Sequence, residues 1–508
     1  MSPLLPRLGR RAARVALAST AVAVVSALAL TACSGSSNEQ GGADATVRIG
    51  LVLEPTSLDI RTQSGAALDQ VLIDNVYQGL VGRAADGSGA IHDVLASKHE
   101  VSADGLTYTF TLRDGTTFQD GKPVTAADVV WSLQQVKDNA SYVDSAQLAN
   151  VRSIASPSSD QVVLTLSKPD SDLLWNLTGR AGLVLEQAAK NDLSDSANGT
   201  GPYEVSSWKQ GDALVFARNA DYWGTKAKVA KVEFRYITDG SAAVNAMAAG
   251  DLDVQTSVDG TLKSQLEGNA DISLHTGKTT DKYTLAFNDR KAPFTDVKVR
   301  KAIRQAIDPR ALIKAIGGTG VPQGGPIPEL DPGYQDLTDV DAYDPAAAKQ
   351  LLAEAGAKDL KLTLTYPNIY AATIGDVLKS QLADVGITLS VQRVDFATWL
   401  SQVFEKHDFD LSMVNHVESR DFGNWANPDY YFGYDNPEVQ ALYAQSVAAT
   451  DQADKTKALE QAARIVSEDA AGEWLYTATS ITAVRKGVTG VPFDGTNSRL
   501  DLAQLAVR

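Results

Sequence analysis

Beyond residue 46, short segments in which apolar and polar residues alternate take turns with segments whose apolar residues recur at helical spacing, and this restricts the chain to an α/β architecture. Residues 47–53 alternate, with Arg48 and Gly50 outward, predicting a half-buried strand; residues 68–80 carry the helical period. Residues 107–112 (TYTFTL) are β-branched and aromatic, Asp114-Gly115 is a turn pair, Thr117-Phe118 resumes the extended pattern and Asp120-Gly121 turns again, which together predict a hairpin. Thr125 then caps a helix over 126–136, with Asp128 in its first turn, where a carboxylate meets unpaired amides and the positive end of the helix dipole. Further on, the pattern predicts strands at 229–238 and 361–366. Helices are predicted at 241–249 closed by Gly250, at 297–307 stopped by Asp308-Pro309, at 346–355 closed by Gly356, and at 372–384 before Gly386. There is no internal repeat and no long linker, so the lobes of such a chain share strands.

The N-terminus is of another kind. Arg7, Arg10, Arg11 and Arg14 precede a charge-free apolar run over 15–30, and its 16 residues fall short of the roughly 20 that span a bilayer as a helix. That pairing reads as the charged and apolar parts of a cleaved signal, residues 1–32. Arg10-Arg11 raises twin-arginine export, but its surroundings fit the general secretory route better. The run ends in Leu30-Thr31-Ala32-Cys33, which resembles a bacterial lipobox, where small residues admit the peptidase and the cysteine sulfur takes a diacylglyceryl group. Cys33 is the only cysteine of 508 residues, so no intrachain disulfide is available, and its position argues for lipidation over packing. Residues 33–43, rich in Ser and Gly, cannot bury enough apolar area to order themselves and read as a tether.

The formal net charge is −16, and removing residues 1–32, which hold four arginines and no acid, leaves −20. Nucleic acid, which needs basic patches, is excluded as a partner. The remaining 476 residues exceed one ordinary core and predict roughly two to four domains or lobes.

Several blocks carry a family resemblance over roughly residues 47–491. Gly199-Thr200-Gly201-Pro202-Tyr203, Trp208, Gly211 and Arg218-Asn219-Ala220-Asp221-Tyr222-Trp223 form the most specific one, with Ala220 where proline is usual. Leu95-Ala96, Asp104-Gly105-Leu106-Thr107-Tyr108 and Asp120-Gly121-Lys122-Pro123-Val124-Thr125 form the next. Residues 248–254 (AAGDLDV), Phe287-Asn288, Pro293-Phe294-Thr295-Asp296, Val299-Arg300 and residues 351–356 follow in order. In this the chain resembles the family 5 extracellular solute-binding proteins of ABC importers, which include dipeptide, oligopeptide and nickel receptors. Gly199 and Gly201 are expected to take backbone angles closed to other residues, and Tyr222 and Trp223 to pack under the hairpin.

The resemblance implies a two-lobed, periplasmic-binding-protein-like fold of type II, the large peptide-binding class, with an extra N-terminal subdomain. Lobe I would combine residues 44–75, 198–278 and 478–508, the extra subdomain 76–197, and lobe II 279–477. Residues 283–287 and 479–484 would be the crossing strands. Such a protein would work as a monomer outside the cytoplasm, on the outer face of the cell membrane, without a cofactor. It would close on a short peptide and hand it to ABC permease subunits.

A peptide needs an anion for its amine and a cation or dipole for its carboxylate, because desolvated charges must be paired. The family places an amine-binding aspartate after a strand of lobe II, and here that region lacks the usual Trp-x-x-Asp-Tyr arrangement. Asp421 is the first candidate for the amine and Glu418 the second. Arg420 could meet a carboxylate, and Trp425 and Tyr430 could wall the pocket. Each of these charges could equally be a solvated or structurally paired loop residue. Glu54 and Ser57 are pocket candidates by family position, with a loop acid and a helix cap as the plainer reading. His416 and Glu418 share one side of a strand, which admits a metal chelate or a hydrogen-bonded wall histidine. A receptor for nickel chelate, haem or oligosaccharide is therefore the alternative. An exported hydrolase or sensor is disfavoured, since no Gly-x-Ser-x-Gly, Gly-x-x-x-x-Gly-Lys or His-Glu-x-x-His pattern occurs. Gly318-Thr319-Gly320 runs into Val321-Pro322 and reads as a loop.

Cys33→Ser should move most of the protein from the membrane fraction to the soluble extracytoplasmic fraction, read by fractionation and detergent-phase partitioning. Undiminished membrane retention of that variant would refute lipid attachment at this residue.

Overall fold

The structure, a computed structural model, describes residues 44–63, 65–495 and 499–508; the expected signal, Cys33 and the tether lie outside the described residues. An 11-stranded mixed sheet organises it. From one edge the strands run Thr388–Val394, Lys361–Pro367, Leu411–His416, Ile272–Phe287, Gly472–Arg485, Val254–Gln255, Thr46–Leu51, Lys231–Tyr236, Ala213–Arg218 and Tyr203–Lys209, and Gly320–Val321 pairs separately with Gly472–Arg485. The two long central strands are antiparallel partners, of 16 and 14 residues. They begin well before the expected crossing segments, by 11 residues in the first strand and by seven in the second.

Their sequence explains what they join. Ile481, Ala483 and Val484 at one end enter cores built around Val47, Phe216 and Phe234 and around Val244 and Met247. Trp474, Leu475 and Tyr476 at the other end enter cores built around Phe287, Ile303 and Leu364 and around Phe432 and Val466. Between the ends the strands turn polar: Lys278-Thr279-Thr280-Asp281-Lys282 faces Thr477-Ala478-Thr479. The register slips here, because Lys278 pairs with Thr479 and Lys282 with Thr477, which leaves Thr279, Thr280 and Asp281 opposite Ala478 alone. Side chains take over the lost ladder bonds. Thr279 Oγ1 donates to Ala478 O (2.7 Å) and accepts from Asp281 N (3.1 Å), while Thr280 Oγ1 donates to Val417 O (3.2 Å).

A separate antiparallel sheet, in the order Ala96–Val101, Thr107–Leu112, Gln161–Leu166 and Val151–Ser158, packs with the helix Ala126–Asp138 around its own core of Phe110, Leu133 and Leu164. Thr125 and Asp128 form a reciprocal capping box on that helix, as their spacing predicts. Gly250, Gly356 and Gly386 have positive φ just beyond their helices. Among the described residues no helix is long and apolar enough to cross a membrane.

Three local expectations need correcting. Residues 107–112 form no hairpin with Thr117-Phe118; they pair with Ala96–Val101 and Gln161–Leu166, and Thr117 bridges only Pro123. The helical period over 68–80 yields a helix only at Ala66–Leu72. Asp74 then adopts φ 69°, and the buried Asn75 amide donates to Val71 O (3.0 Å) and Leu500 O (2.6 Å) while its Oδ1 accepts from Leu502 N (3.0 Å). A tertiary contact with the C-terminal segment therefore ends the helix before its apolar pattern does. Gly199 and Gly201 do not have positive φ. They are required by close approach instead: a Cβ on Gly199 would stand 1.9 Å from Val76 O, and one on Gly201 2.3 Å from Asn75 O. Trp223 Nε1 donates to Thr200 O (3.0 Å) and Tyr222 Oη accepts from Gln78 Nε2 (2.9 Å), so this half-buried pair ties the turn down.

Gly201→Ala should cost at least about 2 kcal/mol, because the new methyl meets backbone that cannot rotate away. Urea denaturation reads this directly, and a variant within about 0.5 kcal/mol of the parent would refute the close-approach explanation.

Candidate functional site

The bulge in the central strands opens onto a cavity of about 460 Å³, a size that suits a small solute. Thr279 and Asp281 line it from one long strand and Thr479 and Ser480 from the other; Thr256, Ser257 and Asp259 approach from one side, Thr319 from another, and Phe493, Asp494 and Arg499 from the C-terminal segment. The lining is rich in hydroxyls, which donate or accept as a polar guest requires. Gly277 lets the C-terminal segment in, since a Cβ there would lie 1.9 Å from Phe493 O.

The carboxylates of this lining differ in what holds them. Asp259 Oδ1 accepts from Thr261 N (2.8 Å) and Thr261 Oγ1 (2.7 Å), and Asp494 Oδ1 accepts from Lys278 N (2.7 Å). Asp281 has no ion-pair partner among the described residues. Burial pushes its carboxyl above the usual range, against a hydrogen bond from Asn415 and the charge of Lys282. Arg499 is the one cation on the described lining, and it is already paired with Asp74 (3.2 Å).

None of the expected contact residues Glu54, Ser57, His416, Glu418, Arg420, Asp421, Trp425 and Tyr430 is part of this lining. Glu54 Oε1 accepts from Gly211 N (2.7 Å), and Ser57 Oγ accepts from Asp59 N (3.2 Å) within a turn. Trp425 is core, stacked on Phe432 at 4.0 Å and 5.1 Å from Trp474. Tyr430 packs against Tyr431 and Phe432 at 5.1 and 4.9 Å. Asp421 is paired with Lys282, whose Nζ lies 3.2 Å away and also donates to Glu418 O (2.7 Å) and Thr280 O (3.1 Å). His416, Glu418 and Asp421 do come together, with one potential ligand atom from each within 4.8 Å of the others. The Lys282 ammonium supplies that cluster with its positive charge, which offsets the need for a metal cation there. The cavities beside Asp421, of about 20 and 10 Å³, hold a water at most.

Arg420 does something else. Backbone at φ 61°, with its N–H donating to Asp331 Oδ2 (2.7 Å), turns its guanidinium onto Trp175, 3.6 Å from the ring centroid. Arg83 covers the same ring at 3.5 Å. Lys455 pairs nearby with Asp172 (2.5 Å), and Ser171 N donates to Val447 O (2.8 Å). These contacts bind the segment around Trp175 to the elements that carry Arg420 and Lys455.

Sequence reasoning missed Asp281. Its signal was a polar stretch, residues 276–281 (TGKTTD), inside an otherwise strand-forming segment.

A mixed α/β sheet spanned by two shared strands, with a solute-sized polar cavity at their waist, defines a periplasmic-binding-protein fold. The description "Bacterial extracellular solute-binding proteins, family 5 Middle" matches residues 90–468. The chain is 28% identical over 484 residues to the probable D,D-dipeptide-binding periplasmic protein DdpA of Escherichia coli K12, covering 88% of this chain and 91% of that one. It is 28% identical over 449 residues to the glutathione-binding protein GsiB of the same strain, covering 83% and 87%. The crystal structure of the ABC transporter substrate-binding protein CtaP from Listeria monocytogenes superposes with a TM-score of 0.81 at 21% identity, covering 91% of this chain and 99% of that one. The chain belongs to family 5 of the bacterial extracellular solute-binding proteins, extracytoplasmic substrate-binding components of ABC transporters.

His416 is held down to about 4 by burial and by the Lys282 ammonium, with Glu418 opposing. Depressed below its ordinary value of about 6.5, the neutral ring contributes stability that is complete above about pH 6.5 and is lost as the pH falls towards 4. His416→Gln should therefore show a flatter stability profile, with about 2 kcal/mol less loss between pH 7 and pH 5 than the parent, measured by denaturation at both pH values. Parallel profiles would show that His416 titrates normally.

Proposed function

We propose that this chain captures a short peptide in the cavity at the bulged strands and delivers it to the permease of an ABC importer, while lipid on Cys33 holds it to the outer face of the cell membrane. The observation that carries this reading is the cavity of about 460 Å³ at the waist of the two long strands, combining a carboxylate that has no ion-pair partner among the described residues with a row of hydroxyls. Relatives named for a D,D-dipeptide and for glutathione support a small peptide as cargo. In this reading lobe I is residues 44–75, 198–278 and 478–508, with the subdomain 76–197 packed on it, and lobe II is residues 279–477. The polar waist and the separate cores on either side support that division. Closure would bend the strands at the bulge, where the ladder is weakest, and trap the guest without altering it. The His416, Glu418 and Asp421 cluster favours a metal chelate only if Lys282 withdraws from it.

Mass spectrometry of the co-purifying solute, followed by calorimetry of refolded, ligand-free protein against di- and tripeptides, tests the reading. A bound peptide at 100 times its Kd should stabilise the protein by about 2.7 kcal/mol. A co-purified non-peptide, together with no stabilisation by any short peptide, would overturn it.

A further inference from the structure

Segment 170–175 belongs to the subdomain 76–197, yet its polar groups are answered from lobe II. Ser171 N donates to Val447 O (2.8 Å) and Ser171 Oγ to Ser446 O (3.0 Å). Lys455 is only 4% exposed, and its ammonium donates to Asp172 Oδ1 (2.5 Å) and Ser171 O (3.4 Å), both across the boundary. Arg420 of lobe II covers one face of Trp175, while Arg83 of the subdomain covers the ring as well. The subdomain is attached to lobe I in another way. Leu183 and Leu185 share one apolar core with Val47, Leu68 and Phe216, and Arg180 pairs with Asp69 (2.5 Å). Among the described residues no apolar core contains buried residues of both the subdomain and lobe II. An apolar core separates only at the cost of exposing it, whereas ammonium, guanidinium and backbone groups find water when they part. The attachment to lobe I is therefore permanent and the seam with lobe II is separable.

We propose that this seam is a latch: Arg420 and Lys455 of lobe II clasp Trp175 and Asp172 of the subdomain when the lobes close, and hold the ligand-free protein mostly shut. On opening, Arg420 and Lys455 leave with lobe II, while Arg83 stays on Trp175. The subdomain thus sets the balance between open and closed forms from outside the cavity, and cargo supplies only the remainder. The inference rests on the two-lobe reading above and is independent of what the cargo is.

The test uses refolded, ligand-free protein in which Cys33→Ser removes the one native cysteine. Spin labels on Lys209→Cys in lobe I and Lys298→Cys in lobe II, both exposed positions, then report the distribution of interlobe distances. The parent should lie mainly at the shorter distance. Arg420→Met, which removes one stack and leaves Arg83 on Trp175, should lower the ratio of closed to open forms about 30-fold, the weight of one desolvated guanidinium–indole contact. Adding Lys455→Met should lower it further. Should the Arg420 variant not fold, Trp175→Leu tests the same contact from the subdomain and should give at least the same shift. A parent found mainly at the longer distance, or a distribution that none of the folded variants changes, overturns the inference. No cargo enters this experiment, so a co-purified non-peptide defeats the peptide reading alone and leaves the latch standing.

Discussion

Two antiparallel strands, Ile272–Phe287 and Gly472–Arg485, must serve two purposes that conflict within one ladder. Their ends are apolar and belong to cores on opposite sides of the molecule, which makes them rigid extensions of those cores. Their middle is polar and three residues face one, so the backbone there depends on the hydroxyls of Thr279 and Thr280. A strand pair of this kind is stiff at its ends and yielding at its centre. The cavity lies beside that centre, lined by Thr279 and Asp281 of the bulge itself.

The charges near the bulge divide by face. Behind it, Lys282 with Asp421, and Asp331 with the backbone of Arg420, form a satisfied polar network that fixes the loop after His416. In front of it, Asp281 has no ion-pair partner among the described residues and takes a hydrogen bond from Asn415. Asp281 and Lys282 are adjacent, so the two-residue period of the strand puts the lysine that holds Asp421 and the aspartate that lines the cavity on opposite faces.

Trp175 links the smaller sheet to this arrangement. Its ring lies between Arg83 and Arg420, at 3.5 and 3.6 Å, while the neighbouring Asp172 holds Lys455. Desolvated guanidinium stacking of this sort is worth about 2 kcal/mol per contact, and it depends on the loop geometry that Asp331 sets at Arg420. The residue expected to meet a ligand carboxylate instead fastens one part of the protein to another.

Much of the fold was determined by the sequence alone. The alternation of periods defines an α/β chain, Thr125 with Asp128 defines a helix start, and Gly250, Gly356 and Gly386 define helix ends, because these effects act within a few residues. The ordered motifs from Leu95 to Gly356 defined the family for the same reason. Tertiary structure alone decided where residue 68's helix stops, since Asn75 bonds to residues 425 and 427 positions away. It also decided why Gly199 and Gly201 must be glycine, and which aspartate faces the cavity. Asp421 and Asp281 are equally plausible as letters in a sequence; only the register of Lys282 against His416 and the bulge before it determine that one is neutralised from within and the other lines the cavity. Contacts between residues far apart in the chain leave no local pattern, so the folded backbone had to settle them.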